Sequence, residues 1–253
     1  MTWSIRKVVV VGLCAVVALF VASPIQGQES KKDKVKLTGA EIQELLFKSG
    51  AVTFGLNHKS NSVFAIVSHG GGKRDIFWRS LADPVVWGTD VTTSKIVGDQ
   101  LCSKWTFGPE TCYDIYKVGE DKYEAVLKGN LVATWYRGEA GQWGTKKDKT
   151  KITGAELQDQ FSKYAILAGI NYQNNVLWIL VHHDFGKRNI YWSSFRKPGL
   201  SGSSSGSLKI VDDQYCSKFG TRKERCFDFY RIGEDKYEMW LEGNFRSVAY
   251  QLK

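Results

Sequence analysis

The chain has 253 residues, 43% hydrophobic and 24% charged, with a formal net charge of +9. That length allows two domains that each bury a core, so size imposes no need for a metal or cofactor staple. Glycine greatly exceeds proline and aromatic content reaches 13%, which points to a β-rich protein with many tight turns.

The chain opens with Arg6 and Lys7, the apolar run Val8–Ala22, and small or polar residues up to Gln28. A basic start, an apolar centre and a small-residue end make a secretory signal peptide over residues 1–27, cleaved after Gly27. Cys14 follows Leu13 rather than a small residue, so it does not fit a lipoprotein signal. Beyond residue 22 no segment has the roughly 20 apolar residues a spanning helix needs. The mature protein is therefore expected in the bacterial periplasm or outside the cell, not as an integral membrane protein. Its charge falls to +7 once Arg6 and Lys7 leave with the leader. Nucleic acid is not an expected partner in that compartment.

Residues 31–41, KKDKVKLTGAE, return at 146–156 as KKDKTKITGAE. The echo continues as CSKW at 102–105 and CSKF at 216–219, then as GEDKYE at 119–124 and again at 233–238. One unit is written twice: a first β domain over 28–137, a polar linker over 138–150 and a second β domain over 151–253. Much of the basic excess sits in the two KKDK lead-ins. They read as flexible, solvated tethers, although the same charge would suit an anionic envelope component or an acidic protein.

Each unit begins with a T-x-x-E capping box, Thr38-Gly-Ala-Glu41 and Thr153-Gly-Ala-Glu156. Ile42, Leu45 and Leu46, and Leu157 and Phe161 in the second copy, follow at helical spacing. Short strands come next: Ser62–His69 and Val176–His183, then Arg74–Ser80 and Arg188–Ser194. Further strands are predicted at 94–98, 100–106, 111–118, 122–128 and 130–136, with counterparts in the second copy. The dissimilar stretches Trp87–Ser94 and Ser201–Ser207 read as a variable loop between strands. Gly70-Gly-Gly-Lys73 and Asp184-Phe-Gly-Lys187 lack the partners of a phosphate loop or kinase motif and read as hairpin turns. The expected fold is mainly β: two tandem small antiparallel β-barrels of lipocalin-like or calycin-like form, each with a short N-terminal helix.

Beside Cys14 there are four cysteines, in two C-x9-C pairs. Duplication favours the pairings Cys102–Cys112 and Cys216–Cys226 over the other two arrangements, and the spacing is wrong for a zinc knuckle.

Little in the sequence names a chemistry. His182 and His183 are adjacent on a strand and face opposite ways, so they cannot share one metal ion, and His58 stands alone. Trp78, Trp105 and Trp135, with Trp192 and Phe219 in the second copy, fall on faces expected to be internal. There they either line an apolar ligand pocket or fill the barrels as core. Asp114 and Tyr116, echoed by Asp228 and Tyr230, are polar groups in otherwise apolar strands. They either bind a polar ligand or make a hydrogen bond that fixes strand register. No catalytic residue, metal ligand or cofactor is assigned.

The ordered set TGAE, D-Q-[LY]-C-S-K-[WF] and C-[YF]-D-[IF]-Y-[KR]-[VI]-G-E-D-K-Y resembles an uncharacterised family of small secreted proteins, commonest in alphaproteobacteria. The matches are Thr38–Ile42, Cys102–Trp105, Cys112 and Gly119–Tyr123. In the second copy they are Thr153–Leu157, Cys216–Phe219, Cys226 and Gly233–Tyr237. Members usually carry a G-x-W step before the first cysteine strand, where this chain has Ser94-Lys95-Ile96 and Leu208-Lys209-Ile210. The resemblance implies export and a barrel-like fold, and it carries no activity.

The function expected from these readings is non-enzymatic binding of an apolar small molecule, an envelope component or a protein. The alternatives are an envelope hydrolase using Asp114/Asp228 or His182/His183, a protein inhibitor, or a structural envelope role. The divergent stretches 87–94 and 201–207 suggest that the two copies need not bind the same thing.

Overall fold

A computed structural model describes residues 34–83, 86–106, 108–138, 149–161, 165–171, 173–183, 186–194 and 200–253. The leader over 1–27 and most of the linker fall outside these residues. The first repeat comprises β1 (Val35–Lys36), α1 (Gly39–Leu46), β2 (Val52–Asn57), β3 (Ser62–Ser68), β4 (Lys73–Ser80), β5 (Trp87–Val97), β6 (Gln100–Trp105), β7 (Thr111–Lys117), β8 (Lys122–Leu127) and β9 (Asn130–Gly138). The second comprises β10 (Thr150–Lys151), α2 (Gly154–Phe161), β11 (Ile166–Asn171), β12 (Val176–His182), β13 (Lys187–Ser194), β14 (Ser201–Val211), β15 (Gln214–Phe219), β16 (Arg225–Arg231), β17 (Lys236–Leu241) and β18 (Asn244–Leu252). Strands β2 to β9 pair in chain order and β9 returns to β2, giving a closed, up-and-down, eight-stranded antiparallel barrel. Strands β11 to β18 do the same, and closure removes the unpaired sheet edges. The tandem barrels and the two predicted disulfides are as the sequence implies: Cys102 faces Cys112 across β6 and β7, and Cys216 faces Cys226 across β15 and β16.

The capping boxes form as expected. Thr38 Oγ1 accepts from the Glu41 N–H, and the Glu41 carboxylate accepts from the Thr38 N–H at 2.8 Å. Gly39 N–H donates to Asp99 at 2.8 Å and Gly154 N–H to Asp213 at 2.6 Å, which ties each helix to the β5–β6 or β14–β15 turn. Each helix thereby closes one end of its barrel, with Ile42, Leu45 and Leu46, or Leu157 and Phe161, pointing inward. The opposite end is ringed by the β2–β3, β6–β7 and β8–β9 turns and their counterparts. Lys128-Gly129 and Glu242-Gly243 make two-residue turns with positive φ at both positions, as right-twisted hairpins require.

The expected variable loop does not form. Trp87–Ser94 and Ser201–Ser207 are not loops but belong to β5 and β14, each 11 residues long. The Ser/Gly run has little strand propensity of its own, so its neighbours impose the strand. β13 and β15 pair with β14 on its two sides, and the Trp192 indole lies so close over Gly202 that a Cβ there would come within 2.6 Å of the ring. Trp78 covers Gly88 in the same way, at 2.8 Å. The structure also adds β2 and β11, where the sequence reading begins its strands only at Ser62 and Val176.

The lead-in lysines in the described segments are not loose tethers. Lys34 pairs with Glu124 at 2.5 Å and Lys36 with Asp114 at 2.7 Å; Lys149 pairs with Glu238 at 2.5 Å and Lys151 with Asp228 at 2.9 Å. The K-x-K pattern is thus a strand, β1 or β10, laid against β7 or β16 with alternate lysines gripping acids on the barrel wall.

The barrels lie side by side. Phe54, Ala65 and Val67 on the outer face of the first pack against Ile179, Val181 and Tyr250 on the outer face of the second. This is why β3 and β12 read as near-continuous apolar runs: one face lines a barrel and the other the contact between barrels. The contact is reciprocal. Lys122 meets Asp235 at 3.6 Å and Lys236 meets Asp121, while Lys122 lies over Tyr136 and Lys236 over Tyr250, both at 5.6 Å.

Candidate functional site

Each barrel has an internal space, and the two differ. The cavity of the second is about 380 Å³ and that of the first about 110 Å³. Inward positions on successive strands set the difference. Trp135 on β9 stacks on Tyr123 at 4.6 Å between ring centres and fills the first barrel. The equivalent position on β18 is Ala249, which is buried in the core of the second barrel together with Phe161 and Trp178. Trp178, Leu180, Ile190, Trp192, Phe219 and Met239 wall the larger space. It falls within the range in which small-molecule sites occur, roughly 300–1,000 Å³.

Near the helix-capped end each cavity holds a buried arginine, Arg74 (4% exposed) or Arg188 (1% exposed). Among the described residues neither has a carboxylate partner. Burial lowers the pKa of both, Arg74 to about 10, and leaves them cationic at neutral pH. Arg74 is served by its surroundings: Nη2 donates to Ser94 Oγ and to Ser103 Oγ, the latter at 2.7 Å, and those hydroxyls lie 2.9 Å apart. In the second barrel Leu208 replaces Ser94, and only Ser217 remains of the pair. Nη1 of Arg188 donates to Tyr215 at 2.5 Å, while Nε and Nη2 have no hydrogen-bond partner.

Arg188 is fixed by a hydrogen-bonded chain. The Phe161 carbonyl, 3.1 Å from His182 Nδ1, can only accept, so Nδ1 carries the proton. His182 Nε2 then accepts from the Tyr215 hydroxyl at 3.1 Å, and the Tyr215 oxygen accepts from Arg188. Burial and the Arg188 charge push His182 down to about 3, and burial pushes Tyr215 up to about 12, so both are neutral at pH 7. The guanidinium also stacks on Phe219, 4.5 Å from the ring centre. At the open end stand Asn171, Asn174, Arg222, Lys223, Arg225 and Arg246. The cationic positions of that rim correspond in the first repeat to Gly108, Pro109, Thr111 and Val132.

The residues singled out by sequence divide cleanly. Trp105 lines the small cavity and Trp192 the large one, while Trp78 packs on the core of the first barrel. Asp114 and Asp228 lie outside: each accepts from a glutamine, Gln100 or Gln214, at 3.1 Å and pairs with a lead-in lysine. Tyr116 and Tyr230 share that outer face, opposite Lys36 and Lys151. His182 points into the barrel and His183 out, where Asn189 meets it at 3.0 Å. Sequence reasoning passed over Arg74 and Arg188. The available signal was an arginine at the same inward position of an apolar strand in both copies.

No protein-family model matches the chain, and no curated protein matches it. Among solved structures, the chain aligns to the DNA polymerase III subunit beta of Pseudomonas aeruginosa at 10% identity and TM-score 0.14, covering 87% of this chain and 64% of that one. The Helicobacter pylori beta clamp bound to a DNA ligase peptide aligns at 8% identity and TM-score 0.14, covering 86% and 66%. The chain thus spans less than two thirds of the length of these clamps, and a likeness at that score carries no argument.

Proposed function

We propose that this is an exported binding protein of the small secreted family it resembles, and that its second barrel takes up one apolar small molecule. The observation carrying this reading is the cavity of about 380 Å³ in the second barrel, walled by aromatic and aliphatic side chains and open at one end. The leader sequence and the two disulfides support export. Binding is favoured over hydrolysis because Asp114 and Asp228 are held by lysines on the barrel exterior and His182 is locked, neutral, between a carbonyl and Tyr215. The test is native mass spectrometry of the mature chain from periplasm, followed by titration with the uncharged dye Nile red. One bound equivalent per chain is expected. A bare polypeptide mass together with no dye binding would overturn the reading.

A further inference from the structure

The second barrel carries a half-used guanidinium at the bottom of an apolar shaft, a costly arrangement for a protein to hold without purpose. A buried charge loses its hydration, and the loss is recovered only when a counter-charge or a full set of hydrogen bonds replaces it. Arg188 has one such bond, to Tyr215, and its Nε and Nη2 have none. Those two atoms form one edge of the guanidinium plane, the edge whose parallel N–H groups match the two oxygens of a carboxylate. Tyr215, held by His182, pins the opposite side, so the guanidinium is fixed in place before any ligand arrives.

The first barrel is an internal control. Its Arg74 occupies the same place with Nε likewise unpartnered, but Ser94 and Ser103 occupy Nη2, and the space beside it is only about 110 Å³. The exchange of Ser94 for Leu208 removes one occupant of the head site in the same copy that has the larger space for a tail.

We propose that the second barrel is a receptor for an amphipathic monocarboxylate: the Nε–Nη2 edge of Arg188 takes the carboxylate, the aromatic shaft takes the apolar tail, and the first barrel takes none. A single cation at the closed end suits one negative charge; a dianionic phosphate would be left half-compensated in the same apolar surroundings. The cationic rim of Arg222, Lys223, Arg225 and Arg246 draws anions to the mouth. This inference rests on the proposed apolar cavity and adds the chemistry of the head group.

The test is calorimetric titration of the full mature chain with dodecanoate, dodecanol and dodecyl phosphate, repeated on two variants. Leu208→Ser restores the hydroxyl that occupies the arginine in the first barrel, and Arg188→Met removes the cation. Dodecanoate is expected to bind at one equivalent, about 10- to 100-fold tighter than dodecanol, the range of a charge-assisted pair. Both variants should abolish that preference, and Leu208→Ser should leave dodecanol affinity within about twofold. If Arg188→Met fails to fold, Leu208→Ser alone carries the test. Equal affinity for dodecanoate and dodecanol, or a preference that survives Leu208→Ser, overturns the carboxylate site but leaves the apolar cavity standing. Tighter binding of dodecyl phosphate overturns it in favour of a dianionic head. Failure to bind dodecanol, dodecanoate or Nile red overturns the cavity reading itself.

Discussion

The first barrel stacks Trp135 on Tyr123, satisfies Nη2 of Arg74 with two serines and surrounds its upper rim with Gly108, Pro109 and Thr111; the second has Ala249, Leu208, Arg222, Lys223 and Arg225 at the same places. The strand order, the helix cap, the disulfide and the lead-in lysines are unchanged between them. A barrel scaffold can therefore be held fixed while the inward side chains change a space of about 110 Å³ into one of about 380 Å³. The scaffold resides in backbone pairing and outer-face ion pairs, and the binding space in side chains that point the other way.

The comparison can be broken most directly by swapping those side chains. Trp135→Ala should open the first barrel and cost about 3–5 kcal/mol, the usual penalty for deleting a buried indole, read as a drop in the urea midpoint. Nile red binding at a second equivalent would show that the new space is accessible. A destabilisation below about 1 kcal/mol would mean that Trp135 does not fill the core as described.

Next in size is the pair of lead-in lysines. Glu238 is fully buried, with Lys149 as its cation and the Trp240 indole N–H as a further donor. Lys149→Met leaves that carboxylate uncompensated and should cost roughly 3 kcal/mol. The equivalent Lys34→Met removes a pair whose lysine side chain is 54% exposed, and should cost less than about 1 kcal/mol. Equal effects in chemical denaturation would remove this difference between the barrels.

The disulfides are expected to contribute alike, each roughly 2.5–3 kcal/mol from the entropy of a short closed loop. Cys102→Ser/Cys112→Ser and Cys216→Ser/Cys226→Ser should then lower stability by similar amounts.

A further contrast appears in acid. His182 sits at the position of Ser68, so only the second barrel carries a titrating group there. Its folded pKa is depressed to about 3 from the ordinary 6.5, so between those values the unfolded chain binds a proton that the folded one does not. Stability is therefore complete above about pH 6.5 and declines as pH falls toward 3, by up to ~1.4 kcal/mol per pH unit. His182→Gln should flatten that slope in denaturation measured at pH 4 and 7; an unchanged slope would place the acid sensitivity elsewhere.

What the sequence made legible follows from how local each signal is. The capping boxes lie within four consecutive residues, and the duplicated cysteines could be paired without knowing the fold. The Ser/Gly run of β14 was illegible because its strand character comes from Trp192 and from two pairing neighbours, not from its own residues. Asp114 reads as a polar group needing a partner, but the partner, Lys36, belongs to a strand too short to be recognised by periodicity. Arg188 was hidden by its type, since arginine at a strand end reads as surface. Only closure of the barrel turns that position inward, and only comparison with Arg74 shows that its partner has gone.

The reciprocal contact between the barrels bears on the ancestry of the chain. Lys122 with Asp235 and Lys236 with Asp121 are one bond made twice, the signature of an isologous surface. A single-repeat protein carrying this apolar wall would meet its own copy through it, and fusing two such genes would turn a homodimer into one polypeptide. Once joined, the halves no longer had to remain identical, so the sizes of their cavities could diverge. Either repeat expressed alone should sediment as a dimer or precipitate, with its partner's side of the wall missing.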